Sequence, residues 1–221
     1  MLRNKLLLIF IIGLISFKTS AQEGGKDTEL WTAVELKYKA SKKLTFELRE
    51  MLRLKDDLTS IDQYYTQLEG FYEFIPNVEI GLGYRFVRKN DNVGNIQGYE
   101  NIGRIQTDLK YTFETGRWTN GLRFRFQNRQ NYTKPDETVN AVRFKGGTSY
   151  NIRKWKLDPK FTFEYFLPNQ KANRYRLTLG TNYKFSNRSK LYLYYSYEKE
   201  VTEVLPDKIQ MIRLRYRFTI N

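Results

Sequence analysis

The sequence predicts an all-β fold: a single closed antiparallel up-and-down transmembrane β-barrel of about 10–12 strands. Three observations predict it. Apolar and polar residues alternate with period two along nearly the whole chain. The alternating segments run roughly 11 to 16 residues, against ~5–6 for a soluble strand and ~9–11 for a tilted bilayer crossing. Finally, short and long connections alternate, as tight turns on one rim and loops on the other would require.

The chain opens on an export signal. Arg3 and Lys5 precede an apolar core from Leu6 to Phe17, and Thr19-Ser20-Ala21 offers a small-residue cleavage site before Gln22. Lys18 interrupts the core well short of the ~20 apolar residues that a retained anchor helix needs. Residues 1–21 are therefore read as a signal peptide, 22–28 as a short polar leader and 29–221 as the barrel.

Eleven alternating segments follow. The apolar sets run Leu30–Tyr38, Leu44–Leu54, Tyr64–Phe74, Val78–Phe86, Ile105–Phe113, Trp118–Phe126, Val142–Tyr150, Trp155–Tyr165, Tyr175–Phe185, Leu191–Tyr197 and Ile212–Ile220. Charged residues, such as Glu35, Arg49, Glu69, Asp108, Glu164 and Glu198, hold the opposite face, and within the strands only Glu50 breaks onto the apolar side. Short turns are expected at Ala40–Lys42, Pro76-Asn77, Thr115-Gly116, Asn151–Lys154 and Asn187-Arg188. Longer loops are expected at Lys55–Ser60, Arg88–Gly98, Thr133–Thr138, Pro168–Asn173 and Thr202–Asp207. Aromatics beside the short turns, including Tyr72, Phe74, Tyr111, Phe113, Trp118, Tyr150, Trp155, Tyr183 and Phe185, read as an interfacial girdle. An odd count is unusual for bacterial barrels. Either the leader adds a poor strand, or it threads the lumen, or one segment has been split wrongly.

Composition fits this frame and narrows the chemistry. Aromatic residues make up 16% of the chain and charged residues 28%, extremes that a barrel houses on opposite faces. The net charge is +14, and the chain stays basic after loss of Arg3, Lys5 and Lys18. Cysteine and histidine are both absent, which removes thiol chemistry and the usual neutral-pH acid–base group. No catalytic residue, metal site or cofactor is expected: carboxylates such as Glu69, Asp108 and Glu164 lie among arginines that hold them ionised. Asp56-Asp57 reads as a solvated loop pair, and Gly81-x-Gly83 and Gly146-Gly147 as strand glycines that relieve crowding.

The Ala21-Gln22 junction, Leu30-Trp31-Thr32, Phe46-Glu47-Leu48-Arg49, Tyr84-Arg85-Phe86, Arg123-Phe124-Arg125 and the closing Arg213-Leu214-Arg215-Tyr216-Arg217-Phe218 together resemble the family catalogued as domain of unknown function 2490. The resemblance covers nearly the whole mature chain and implies an outer-membrane barrel with no assigned activity. The closing strand also resembles the recognition strand of barrels inserted by the outer-membrane assembly machinery, with Tyr216, Phe218 and Ile220 in alternation and Asn221 where an aromatic usually ends the chain.

The inward arginines are the sharpest functional feature. Arg85, Arg104, Arg123, Arg125, Arg143, Arg176, Arg213 and Arg215 fall at similar heights on their strands and predict a belt around the lumen. Either the belt pairs with Glu47, Asp108, Glu164 and Glu198 and with inward Tyr192 and Tyr194, packing a closed lumen, or unpaired guanidinium groups line an anion-selective path. The expectation is a non-enzymatic outer-membrane barrel, structural or a narrow anion-leaning pore, whose partners are membrane lipid, lipopolysaccharide and the assembly machinery. Nucleic acid is excluded as a partner by export and by the inward placement of the charge. Two alternatives stand beside it: a surface adhesin acting through the Arg88–Gly98 and Thr133–Thr138 loops, and a soluble periplasmic barrel holding an apolar ligand inside.

Overall fold

The computed structural model describes residues 26–91, 98–153, 155–169, 172–201 and 208–221. The signal, most of the leader, residues 92–97, 170–171 and 202–207 and position 154 lie outside these residues. The strands are β1 (Lys26–Lys39), β2 (Leu44–Lys55), β3 (Ser60–Ile75), β4 (Val78–Asp91), β5 (Gly98–Thr115), β6 (Trp118–Asn131), β7 (Thr138–Tyr150), β8 (Lys160–Pro168), β9 (Arg174–Lys184), β10 (Ser189–Glu200) and β11 (Lys208–Ile220). Each strand pairs with its chain neighbours, and β1 closes the ring against β11.

That closure departs from a wholly antiparallel barrel. An odd number of strands leaves the first and the last pointing the same way, so β1 and β11 pair in parallel, with Lys26 beside Lys208 and Tyr38 beside Ile220. No extra strand and no mistaken split is needed. β1 begins at Lys26, which moves Lys26, Asp27 and Thr28 from the leader into the barrel.

Two connections also differ from expectation. Alternation continues through Trp155 and Leu157, yet β8 starts only at Lys160, because Pro159 has no N–H for the ladder. Leu157 keeps a lone bridge to Tyr183, and the link from β7 to β8 runs over residues 151–159 rather than as a tight turn. The Lys55–Ser60 loop, conversely, is tight: Asp56, Asp57 and Leu58 all take left-handed φ angles of 52°, 52° and 72°. Strict alternation of short and long connections is thus only approximate. β4 and β5 extend into the expected Arg88–Gly98 loop, whose remainder, 92–97, lies outside the described residues.

Period-two alternation sends the apolar set outward. Val34 and Leu82 are 61% and 65% exposed, and Leu68, Ile105, Leu122, Phe144 and Leu179 share their face. This is the reverse of what a soluble barrel holding an apolar ligand would need. Glu50 does lie on the outer face, where it accepts a hydrogen bond from the Thr66 hydroxyl at 2.9 Å. The girdle beside the short turns is present: Tyr111 stacks near Phe113 at 5.4 Å, Trp118 lies 4.7 Å from Tyr150, and Tyr183 meets Phe185 edge-on at 4.9 Å. A second set toward the opposite rim, Tyr64 with Tyr99 and Tyr175 with Tyr197, was not part of the expectation.

The inward face is more apolar than alternation suggests. Tyr65, Val87 and Ile102 pack into a small buried cluster with Met51 against it, and Trp31, Phe71 and Met211 are also buried. Glycine makes room for them. A Cβ on Gly81 would stand 2.5 Å from the Phe71 ring. Gly81→Val is therefore expected to lower stability by about 1–3 kcal/mol through overpacking, seen as a lower urea midpoint with an unchanged slope.

Candidate functional site: the arginine-rich lumen

All eight belt arginines point inward, and the register explains why they meet carboxylates. Strands in a closed barrel are tilted and staggered, so long side chains on one strand reach acids two or three strands away. Arg125, only 4% exposed, donates to both oxygens of Asp108 at 2.6 Å, to Gln106 at 2.9 Å and, from β6 to β3, to Glu69 at 2.9 Å. Arg123 reaches from β6 to Glu164 on β8 at 2.6 Å. Glu164 also takes Arg143 at 2.8 Å and lies 3.8 Å from Arg176, which is paired in turn with Glu198.

Sequence reasoning missed the other half of this network. Glu35, fully buried, accepts Arg49 from β2 at 2.5 Å, Arg215 from β11 at 3.3 Å and Arg217 as well. Arg49 continues to Glu69 at 4.0 Å, and Arg123 approaches Asp108 at the same distance. A chain of alternating charges thereby runs through every strand except β4. Glu47 pairs with Lys37 at 3.2 Å and Arg217 at 3.6 Å rather than with the belt. Charge-assisted, multiply bonded contacts of this kind are the strong class of hydrogen bond, and breaking one leaves a buried charge unanswered.

Trp31 is the second unforeseen element. Its indole projects inward from β1, with the Arg53 guanidinium 3.6 Å over the ring and those of Arg176 and Arg213 at 5.0 and 5.2 Å. Contact between β1 and Arg176 of β9 spans two intervening strands. Tyr192 and Tyr194 do turn inward and stack at 6.0 Å, with Arg215 4.3 Å above Tyr192. The remaining belt members are differently placed. Arg213 touches the Ser196 hydroxyl at 3.3 Å, Arg85 donates to Gln67, and Arg104 has no acceptor for Nε or Nη2 among the described residues. Tyr216 and Phe218 are on the outer face of β11, each 37% exposed.

Toward the short-turn rim the lumen opens into a polar cavity of about 380 Å³, lined by Lys37, Lys39, Lys190, Arg217 and Tyr192 among others. A cationic mouth at the short-turn rim thus adjoins an ion-paired centre.

Among solved structures, the chain is similar to the beta domain of the Bordetella autotransporter Brka, with 12% identity, a TM-score of 0.46 and coverage of 77% of this chain and 82% of that one. It is also similar to the loop L8 deletion mutant of OmpT, an outer membrane protein of Vibrio cholerae (13% identity, TM-score 0.45, 76% and 57%). A further match is an anion-selective porin from Comamonas acidovorans (12% identity, TM-score 0.40, 79% and 53%). The chain spans little more than half the length of the last two. No curated protein matches the sequence. A model of the family described as Protein of unknown function (DUF2490) matches residues 28–203, and the chain belongs to that family.

Proposed function

We propose that this member of the family is a non-enzymatic outer-membrane barrel, structural rather than freely conducting, whose lumen draws anions into its mouths and stops them at an ion-paired waist. The membrane part rests on the outward apolar band and its flanking aromatics, which match a bilayer's core and interfaces. The waist carries the functional part. Arg125 bound to Glu69, Arg123 bound to Glu164, and Trp31 beneath Arg53 and Arg176 join strands across the lumen instead of lining a free path. The lysines and arginine that line the short-turn mouth, Lys37, Lys39, Lys190 and Arg217, set the sign of the ion that enters from that side.

Planar-bilayer recording tests this. The wild-type barrel is expected to be silent, whereas Glu69→Gln/Glu164→Gln, which removes the ionic links from Arg125 to β3 and from Arg123 and Arg143 to β8, is expected to conduct with anion preference. Steady wild-type conductance would overturn the closed waist and favour an open anion-leaning pore. A double variant that folds and stays silent would remove the network as the barrier.

A further inference from the structure

Not every inward arginine is answered by an acid. Arg85 lies directly opposite Arg104, and Arg104 directly opposite Arg129, so three guanidinium-bearing residues occupy neighbouring places in one cross-strand row. Directly opposed residues have Cβ atoms ~4.5–5.5 Å apart, and like charges so placed repel. The arginines of the ion network each meet a carboxylate. Among the described residues these three form no ion pair with one.

The charges nearest Arg85 and Arg104 are other guanidinium groups, and only Arg129, nearer the rim, has Glu100 and Glu137 in its longer-range surroundings. Arg85 is 7% exposed, donates through Nε to Gln67 Oε1 at 2.6 Å, and holds its guanidinium 3.7 Å over the Tyr65 ring. Arg104 keeps Nε and Nη2 buried without an acceptor. Arg129 forms no hydrogen bond or ion pair among the described residues. Nearby carboxylates are already engaged: Glu100 accepts from Asn131 and Lys134, while Asp108 and Glu69 accept from Arg125.

Buried donors without acceptors cost free energy, and uncompensated buried charge costs more. A row of like charges that keeps such donors unfilled is therefore strained when empty and relieved by an anion. Guanidinium forks match phosphate oxygens two at a time, and a tetrahedral dianion offers oxygens toward several forks at once, which a chloride or a lone carboxylate does not. We propose that Arg85, Arg104 and Arg129 form a binding site for a phosphate-bearing solute in the half of the lumen next to the long-loop rim. Arg129 lies close to Asn131, where β6 ends at that rim, so the solute enters from that side and reaches Arg104 and Arg85 in turn. The site stands on register and unfilled donors alone and does not depend on whether the waist conducts.

Calorimetric titration of the folded, detergent-solubilised barrel with sodium phosphate tests the site, with glycerol 1-phosphate as a second probe and sodium chloride and sodium acetate as controls. Phosphate or its ester is expected to bind, to raise the thermal midpoint, and to outcompete both controls. Arg104→Gln is expected to weaken binding at least tenfold while leaving the phosphate-free midpoint no lower than wild type, since it removes an unanswered charge. Arg129→Gln, nearer the rim, carries the same test should Arg104→Gln fail to fold. Tighter binding of the free anion identifies an inorganic solute, and tighter binding of the ester a phosphorylated metabolite; either supports the site. Absence of heat with both phosphates, or equal binding by wild type and the folded variant, overturns it.

Discussion

Replacing Glu35 by alanine is expected to cost the barrel about 3–5 kcal/mol, the scale for removing one partner of a buried ion pair. Glu35 is fully buried on β1 and holds Arg49 of β2 on one side and Arg215 and Arg217 of β11 on the other. Its loss takes from Arg215 its carboxylate and leaves Arg217 and Arg49, on the two flanks of the closing seam, only their longer contacts to Glu47 and Glu69. Urea unfolding in lipid vesicles, followed by tryptophan fluorescence, reads the effect. Glu35→Gln, which keeps the shape and some of the hydrogen bonds, is expected to lose less. A wild-type midpoint for Glu35→Ala would show that the seam closes through its ladder alone.

The second large effect lies on the opposite face. Leu82 is 65% exposed in the middle of β4, so its replacement by arginine would change stability by only about 0.5 kcal/mol or less if its neighbour were water. Against hydrocarbon the same Leu82→Arg change is expected to cost about 2–4 kcal/mol, whereas Ile75→Arg, beside the short-turn rim, is expected to cost about 0–1 kcal/mol. Depth dependence of this kind belongs to a bilayer. Vesicle unfolding midpoints for the two variants, measured side by side, decide which solvent the apolar face meets, and equal small losses would sink the membrane assignment.

Period two made all eleven strands legible, because a side chain's face follows from its parity once a strand is granted. Boundaries were less so. Trp155 and Leu157 keep the alternation that ends β7 and opens β8, and only the missing N–H of Pro159 separates a strand from a loop that imitates one. The belt was legible as a set of inward residues, yet its pairings were not. Arg125 meets Glu69, 56 positions away in the chain, because tilt and stagger bring β6 level with β3 across the lumen, and those quantities have no local signature. Trp31 did carry a visible signal. It sits out of phase between Leu30 and Thr32, and an aromatic on the charged face asks what cation it lies beneath. Tyr65, Phe71, Val87 and Ile102 share that phase, so the inward face was legible as polar only where charge made it conspicuous.

The parallel seam gives the barrel a polarity that an even-stranded one lacks. β1 and β11 both run from the long-loop rim to the short-turn rim, so the start of β1 and the end of β11 are separated by the full height of the wall. In a membrane they face different compartments. A reporter fused ahead of Lys26 and another fused after Asn221 would sample opposite sides, and no short linker could join them into a circular chain.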